Sequence, residues 1–100
     1  MNAAQSPGSN PAFEKKLTIK NKLGLHARPA ALFVQTANQF DSDIQVVKDG
    51  ETVNGKSIMG IMTLAAGCGS EILVITAGMD AESALQALEK LVLSNFGEDE

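Results

Sequence analysis

The dipeptide Asp49-Gly50 constrains the fold of this chain more than any other short feature, because it lies between two runs of β-favouring residues. The run DIQVV precedes it and the run ETVN follows it. A two-residue loop of this composition favours a turn with positive φ at both central residues, and such a turn joins antiparallel strands. The sequence therefore predicts a β-hairpin, and with it at least one antiparallel pair in the sheet.

Two further elements are predicted before the hairpin. The run FEKKLTIKN places Leu17 and Ile19 on one side of a half-buried strand, with polar residues between them. The run HARPAALFVQTANQF has apolar residues at the spacing of an amphipathic helix, namely Ala30, Phe33, Val34, Ala37 and Phe40.

Three elements are predicted after the hairpin. The run SIMGIMTLAAG is typical of a short helix that ends near Gly67, and SEILVIT is typical of a buried strand. Asp80 is a suitable N-cap for a third helix. The apolar face of that helix consists of Ala81, Ala84, Leu85, Leu88 and Val92. This order of elements, together with the hairpin, predicts an α+β fold with helices on one face of a mainly antiparallel sheet.

The composition fits one domain with an aliphatic core. Of 100 residues, 44% are hydrophobic, and all four aromatic residues are Phe. No apolar run approaches the ~20 residues of a membrane helix, so we expect no membrane insertion. We predict a disordered tail over residues 1–12 with no signal peptide, a domain over residues 13–96 and an acidic tail over residues 97–100. The single cysteine, Cys68, has no internal disulfide partner, and we expect a cytoplasmic location.

The charge is unevenly distributed along the chain. Residues 1–60 contain seven Lys or Arg and five Asp or Glu, which gives +2, whereas residues 61–100 contain one and seven, which gives −6. Nucleic-acid binding is not expected, because it needs a concentrated basic patch. The first part of the chain is better suited to an anion.

Residues 50–57, GETVNGKS, match the phosphate-binding P-loop pattern G-x-x-x-x-G-K-[ST]. The hairpin argues against that interpretation, because Gly50 then belongs to the turn and ETVN to a strand. A nucleotide-binding core also needs several βαβ units of ~30 residues or more, and the chain is too short to hold them. We therefore expect no nucleotide site and no cofactor.

The stretch NKLGLHARPAA contains the residues best suited to chemistry. The only histidine, His26, falls where the first helix should begin, with Pro29 in the first turn, where a missing N–H costs little. Gly24 allows the backbone to bend just before it. Free N–H groups at a helix N-terminus attract anions, and Arg28 adds a planar set of donors that suits phosphate oxygens.

These residues suit phosphoryl transfer. A neutral imidazole is a good nucleophile near neutral pH, and attack on a phosphoryl group would leave a dianion beside the donors. No second histidine, paired carboxylates or metal-binding cluster accompanies His26 in the sequence, so a carrier fits better than a hydrolase. The same pattern also fits a histidine that only caps the helix and an arginine that is only a solvated side chain. On these residues alone, both interpretations stay open.

Two blocks of the sequence resemble the HPr family: GLHARPAALFVQTANQF, and NGKSIMGIMTLAAGCGSEILVITAGMDAESALQALEKL. HPr proteins are histidine phosphocarriers of the bacterial phosphoenolpyruvate-dependent phosphotransferase system. The resemblance covers residues 13–96. It implies an open-faced β-sandwich, with three helices covering one face of a four-stranded antiparallel sheet. It also implies that His26 accepts phosphate on Nδ1 from phospho-enzyme I and passes it to IIA proteins or domains, and that Arg28 holds the phosphate.

The resemblance also gives Ser57 a role. It falls on the serine that a dedicated ATP-dependent kinase/phosphorylase modifies in many members of the family. Ser57 is in any case a good N-cap for the helix that follows it. We therefore expect the cap whether or not the serine is regulated.

The helix after Ser57 carries five apolar residues that lie too close in sequence to share one buried face. They are Ile58, Met59, Ile61, Met62 and Leu64. Some must be exposed, and an exposed patch with two methionines suits adaptable docking. We expect Ile58, Met59 and Met62 to bind protein partners, as the resemblance also implies.

Two other functions remain compatible with the sequence. One is a purely regulatory module that uses phosphorylated Ser57 to contact a transcription factor or kinase, as relatives without the active histidine do; the presence of His26 and Arg28 argues against it. The other is a nitrogen-related branch of the phosphotransferase system that regulates without moving sugar. On the carrier interpretation we expect a monomer that binds other proteins and is not itself a turnover enzyme.

Overall fold

The computed structural model describes residues 11–98. Its strands and helices occur in the predicted order, followed by a short 3-10 turn. They are β1 (Ala12–Thr18), α1 (Ala27–Ala37), β2 (Asp43–Lys48), β3 (Glu51–Asn54), α2 (Ile58–Thr63), β4 (Glu71–Ala77), α3 (Ala81–Leu93) and the turn Asn95–Gly97. Of the two predicted tails, residues 1–10 and 99–100 lie outside the described residues, and Ala12 is already part of β1.

The four strands form one antiparallel sheet in the order β1-β4-β2-β3. Strand β4 is central and alternates between buried and half-buried residues, as a strand covered on one face should. Helix α3 packs against β1 and β4, and α1 packs against both α2 and α3. The predicted α+β fold, an open-faced β-sandwich with three helices on a four-stranded antiparallel sheet, is confirmed.

The hairpin at residues 49–50 is also confirmed. Asp49 has φ +50° and Gly50 has φ +83°, and Lys48 pairs with Glu51 on either side of them. Residues 51–54 are therefore strand β3 and do not wrap a phosphate, so the match to the P-loop pattern is accidental. The lysine of the pattern, Lys56, has another partner: its Nζ donates a hydrogen bond to the carbonyl oxygen of Phe40 at 2.7 Å.

The core lies between the sheet and the helices and is aliphatic apart from Phe33 and Phe96. Leu17 and Ile19 are buried, as predicted for the first strand, although Ile19 lies just beyond the end of β1. The predicted apolar faces of α1 and α3 are buried as well, namely Ala30, Phe33, Val34 and Ala37 on α1, and Ala81, Ala84, Leu85, Leu88 and Val92 on α3.

Two helices end earlier than predicted. Helix α1 ends at Ala37, so Phe40 lies in the following turn and packs only partly against the core. Helix α2 ends at Thr63 rather than near Gly67, because Ala65 has φ +50° and turns the chain away two residues later. None of the helices within residues 11–98 is long and apolar enough to cross a membrane.

Asp80 occupies the N-cap position of α3 as predicted, but its side chain does not cap that helix. Its carboxylate accepts hydrogen bonds from the backbone N–H groups of Asp41 (2.9 Å) and Ser42 (3.0 Å), and from the Ser42 hydroxyl. These bonds, that from the Ser42 hydroxyl foremost, lower the pKa of Asp80 below its ordinary value of 3.8. Asp80 therefore fixes the loop that leads into β2.

Candidate functional site at the start of helix α1

His26 lies at the N-cap of α1, as predicted. Its backbone is extended, with φ −78° and ψ −170°, and its carbonyl oxygen accepts the first helical hydrogen bond from Ala30 at 2.9 Å. Its side chain makes no capping hydrogen bond, and 35% of the side-chain surface is exposed. The imidazole is therefore accessible and is not used to stabilise its own helix.

The first turn of α1 has backbone donors without acceptors. Within residues 11–98, the N–H groups of Ala27 and Arg28 make no hydrogen bond. Pro29, the next residue, has no N–H, and its ring is buried against the core. Two free N–H groups at the positive end of an 11-residue helix dipole suit an anion.

Gly24 allows the loop before His26 to lie against the chain that follows α2. It has φ +70°, and a Cβ at this position would lie 2.6 Å from the Cα of Gly67 and still nearer to the carbonyl oxygen of Ala66. The close approach lets the N–H of Leu25 donate to that carbonyl at 2.8 Å. Only glycine fits here, so the position of His26 depends on the segment after α2.

Glu98 contacts His26 from the far end of the chain, at 3.2 Å between its Oε2 and the ring Nε2. Its other oxygen, Oε1, accepts a hydrogen bond from Nδ2 of Asn21 at 3.0 Å, and Nδ2 also donates to the carbonyl of Gly24 at 2.8 Å. Phe96, buried in the core with φ +57°, anchors the turn before Glu98. By sequence, Glu98 belongs to the predicted acidic tail, and no sequence pattern assigns a role to Glu98 or to Asn21.

His26 and Arg28 line the same open cleft of about 590 Å³. Lys22 contributes a second positive charge and Glu98 a negative one, and Leu23, Leu32, Phe96 and Gly97 complete the lining. The structure thus brings together the two residues predicted to handle phosphate. No residue of α2 lines this cleft among the residues described.

Ser57 is the N-cap of α2, as predicted. Its Oγ accepts a hydrogen bond from the N–H of Gly60 at 3.0 Å. The hydroxyl therefore already has a structural role at the start of this helix. Ser57 and His26 lie at the starts of two helices that pack against each other.

The apolar residues of α2 divide between core and surface. Ile61 is fully buried and Leu64 nearly so, whereas Met59 is 74% exposed and Ile58 and Met62 are about two-fifths exposed. The prediction that some of them are exposed is confirmed. Leu23, a large exposed apolar residue that no sequence pattern singles out, lines the cleft beside His26.

A family model described as "PTS HPr component phosphorylation site" matches residues 13–94. The chain belongs to the HPr family. Phosphocarrier protein HPr of Treponema pallidum is 51% identical over 85 residues, which cover 85% of this chain and 97% of that protein. HPr-like protein Crh of Halalkalibacterium halodurans is 59% identical over 75 residues, which cover 75% of this chain and 89% of that protein.

A crystal structure of HPr from Thermoanaerobacter tengcongensis superposes on this fold with a TM-score of 0.83 and 54% sequence identity, covering 88% of this chain and 99% of that one. The resemblance of the two sequence blocks to HPr is thereby confirmed. Membership of the family makes the chain a phosphocarrier-type component of the phosphotransferase system.

Proposed function

We propose that this chain carries a phosphoryl group on Nδ1 of His26, which it accepts from phospho-enzyme I and passes to IIA proteins or domains. One observation carries the proposal: the half-exposed imidazole of His26 lies at an uncapped helix start whose first two N–H groups have no acceptor within residues 11–98. Arg28, whose guanidinium suits phosphate oxygens, lines the same cleft. A nucleophile and the donors for the group it receives therefore lie side by side.

The transfer needs no cofactor on this account. The Nδ1 lone pair attacks the phosphorus of the phosphoryl group on the donor protein, and the donor atom keeps the electron pair of the bond to phosphorus that breaks. The transferred group brings about two negative charges to a site with two free amides and a guanidinium. Binding of this kind delays loss of the group to water, as a carrier requires.

Labelling with phosphoenolpyruvate and a cognate enzyme I tests the proposal. Wild-type protein should gain one phosphate that is labile in acid and stable in base, as expected of a phosphohistidine. His26→Ala should take up none, whereas Ser57→Ala, which keeps the imidazole, should be labelled like the wild type. Equal labelling of the His26→Ala variant would show that the carrier assignment is wrong.

We also propose that Ser57 is a site of regulatory phosphorylation and that Ile58, Met59 and Met62 contact the partners. The support is the position of Ser57 at the start of a helix whose adjoining apolar residues face solvent. A phosphate there would add about −1.5 to −2 charge next to that patch. Regulation would thus act on recognition, while His26 keeps its own chemistry.

The second candidate function is a regulatory module without a role in sugar transport. Its support is the 59% identity to a relative named HPr-like protein Crh. Adding an IIA protein to the labelled chain separates the two, because only a carrier must transfer the phosphate onward from His26. We further propose that the protein is a cytoplasmic monomer, although relatives have been solved as an HPr dimer and a Crh dimer. Light scattering across a concentration series tests the monomer.

A further inference from the structure

The two oxygens of the Glu98 carboxylate have different partners. Oε2 contacts Nε2 of His26, and Oε1 accepts from Asn21. Each oxygen of the Glu98 carboxylate therefore has one partner: the imidazole of His26 for Oε2, and the fully buried amide of Asn21 for Oε1. Its side chain is only 17% exposed, although it lies in an acidic segment near a cleft proposed to take a dianion.

A carboxylate at this place needs an explanation, because its negative charge opposes the binding of a phosphoryl group nearby. It contacts the ring nitrogen Nε2, on the opposite edge of the imidazole from Nδ1. A carboxylate can only accept hydrogen bonds, so the nitrogen that faces it must carry the hydrogen. In a neutral imidazole this leaves Nδ1 without a hydrogen and with its lone pair free.

We propose that Glu98 is a positioning residue that holds His26 in the tautomer with the hydrogen on Nε2, and that Asn21 positions Glu98. This inference deepens the proposed function and rests on it for its consequence, which is that Nδ1 is ready to attack phosphorus. When the Nδ1–P bond forms, the hydrogen stays on Nε2 and the ring becomes cationic. The Glu98 carboxylate then faces that new positive charge.

Asn21 is suited to this task because its amide has one orientation. Nδ2 uses its two hydrogens on the carbonyl of Gly24 and on Glu98. Rotating the amide by 180° would point Oδ1 at the Gly24 carbonyl, and two acceptors would oppose each other. As placed, Oδ1 is buried without a hydrogen-bond partner among the described residues. Asn21 therefore links the Gly24 carbonyl in the loop before His26 to the Glu98 carboxylate, and its fixed amide presents only hydrogens to both.

The geometry gives a sharp expectation for Glu98→Gln, which keeps the shape of the side chain. The amide oxygen of the new glutamine should still accept from Asn21, because Asn21 offers only hydrogens in that direction. Its NH₂ group must then face Nε2 of His26 and donate to it. The hydrogen of the neutral ring should move to Nδ1, and the nucleophilic lone pair there is lost.

The first measurement is the ¹⁵N NMR spectrum of the His26 ring, recorded without phosphate at a pH where the ring is neutral. The wild type should show a protonated Nε2 and an unprotonated Nδ1, and Glu98→Gln should show a large shift toward the reverse. A matched control is Glu82→Gln, which removes one carboxylate from an exposed position at the opposite end of α3. Its tautomer should equal that of the wild type.

The second measurement is the rate of phosphorylation by phosphoenolpyruvate and enzyme I. Outer partners of functional histidines typically change affinity or activity by about 10- to 100-fold when they are replaced, as shown for metal-binding histidines. We expect the Glu98→Gln rate to fall by about 10-fold or more, and the Glu82→Gln rate to stay within about twofold of the wild type. The two Gln variants should have similar melting temperatures.

An unchanged tautomer in Glu98→Gln would overturn the inference, whatever its rate. A changed tautomer with an unchanged rate would also overturn it, because the hydrogen would then not matter for transfer. If the wild type itself accepts no phosphate, the proposed function fails, but the NMR comparison still decides whether Glu98 sets the tautomer.

Discussion

Helices α1 and α2 both begin with a polar N-cap residue, yet the two side chains are used differently. The Ser57 hydroxyl accepts a hydrogen bond from Gly60 of its own helix, whereas the His26 ring makes no capping bond and contacts Glu98. A side chain at an N-cap can satisfy the helix or remain available for chemistry. The imidazole of His26 remains available, whereas any modification of Ser57 would act on a group that already stabilises α2.

Helix α3 shows that an N-cap side chain without a capping bond is not always available for chemistry. The side chain of Asp80 does not cap α3 either, but it fixes the loop at Asp41 and Ser42 and is no nucleophile. A missing side-chain cap therefore does not identify a functional site by itself. At α1 it is the combination with free amides, a cleft and Arg28 that favours phosphate chemistry.

The largest effect should come from Arg28, the residue that α1 has and α2 lacks. Hydrogen bonds to charged groups contribute roughly 1.5–3 kcal/mol, so Arg28→Ala should slow phosphoryl transfer by about 10- to 100-fold. Arg28 is exposed, and its removal should change the free energy of unfolding by no more than about 0.5 kcal/mol. Rapid-quench kinetics and urea denaturation measure the two quantities.

Arg28→Lys is the matched variant, since it keeps the charge but loses the planar pair of donors. It should transfer faster than Arg28→Ala and slower than the wild type. A variant that unfolds easily but transfers at the normal rate would make Arg28 a structural residue and remove one difference between α1 and α2.

The next effect concerns recognition at α2. Ser57→Asp places a charge beside the exposed Ile58 and Met59, and a partner must desolvate that charge on binding. Because Asp caps helices as well as Ser does, the melting temperature should hardly change. Transfer from enzyme I should slow by something like 10-fold, equivalent to about 1.4 kcal/mol. The rate is measured over a range of enzyme I concentrations, so that weaker binding is separated from slower chemistry.

Ser57→Ala is the control, since it adds no charge and should accept phosphate at the wild-type rate. Equal rates for all three proteins would remove Ser57 from the partner surface.

A smaller effect should separate the two N-caps by stability alone. Ser57→Ala removes a capping bond and should cost about 1 kcal/mol. His26→Ala removes no cap, only a partly buried contact with Glu98, and should cost less than about 0.5 kcal/mol. Urea denaturation of both variants under identical conditions checks the order, and equal losses would mean that the two helix starts do not differ as described.

The smallest effect should appear at Asp80 in acid. Its pKa is lowered in the folded protein, mainly by the Ser42 hydroxyl, so the ionised form stabilises the fold above the ordinary pKa of 3.8. That contribution is lost as the pH falls through the lower pKa of the folded state. Asp80→Asn should therefore be less stable than the wild type at neutral pH, and the difference should shrink below pH 3.8. A difference that stays constant from pH 7 to pH 3 would contradict the assignment.

Local patterns made much of the fold predictable. The turn at residues 49–50 needs positive φ at both positions, and Asp-Gly supplies it. The position of His26 followed from Pro29, which fits only the first turn of a helix. The predicted end of α2 was too late, because glycine is the usual residue at a helix end and Gly67 is the first glycine after the helix. Ala65 adopts the positive φ instead, although alanine has no preference for it.

The rest of the site depends on contacts between distant parts of the chain. Glu98 lies 72 positions after His26, and Asn21 lies 77 positions before Glu98. No spacing rule relates residues so far apart, and an acidic run near a helix end is usually solvated. The same limit applies to Asp80, whose helix was predicted but whose carboxylate serves the loop before β2.

The separation of His26 and Glu98 also has a consequence during synthesis. At translation rates of about 5–20 residues per second, the histidine is made roughly 4 to 14 seconds before the glutamate. Strand β1 must likewise wait for β4, with which it pairs from Ala12 to Thr18. A ribosome-bound chain therefore displays an imidazole that has neither its partner nor a finished sheet behind it. On the proposed role of Glu98, the imidazole is prepared for attack only after Glu98 has been made and β1 has paired with β4.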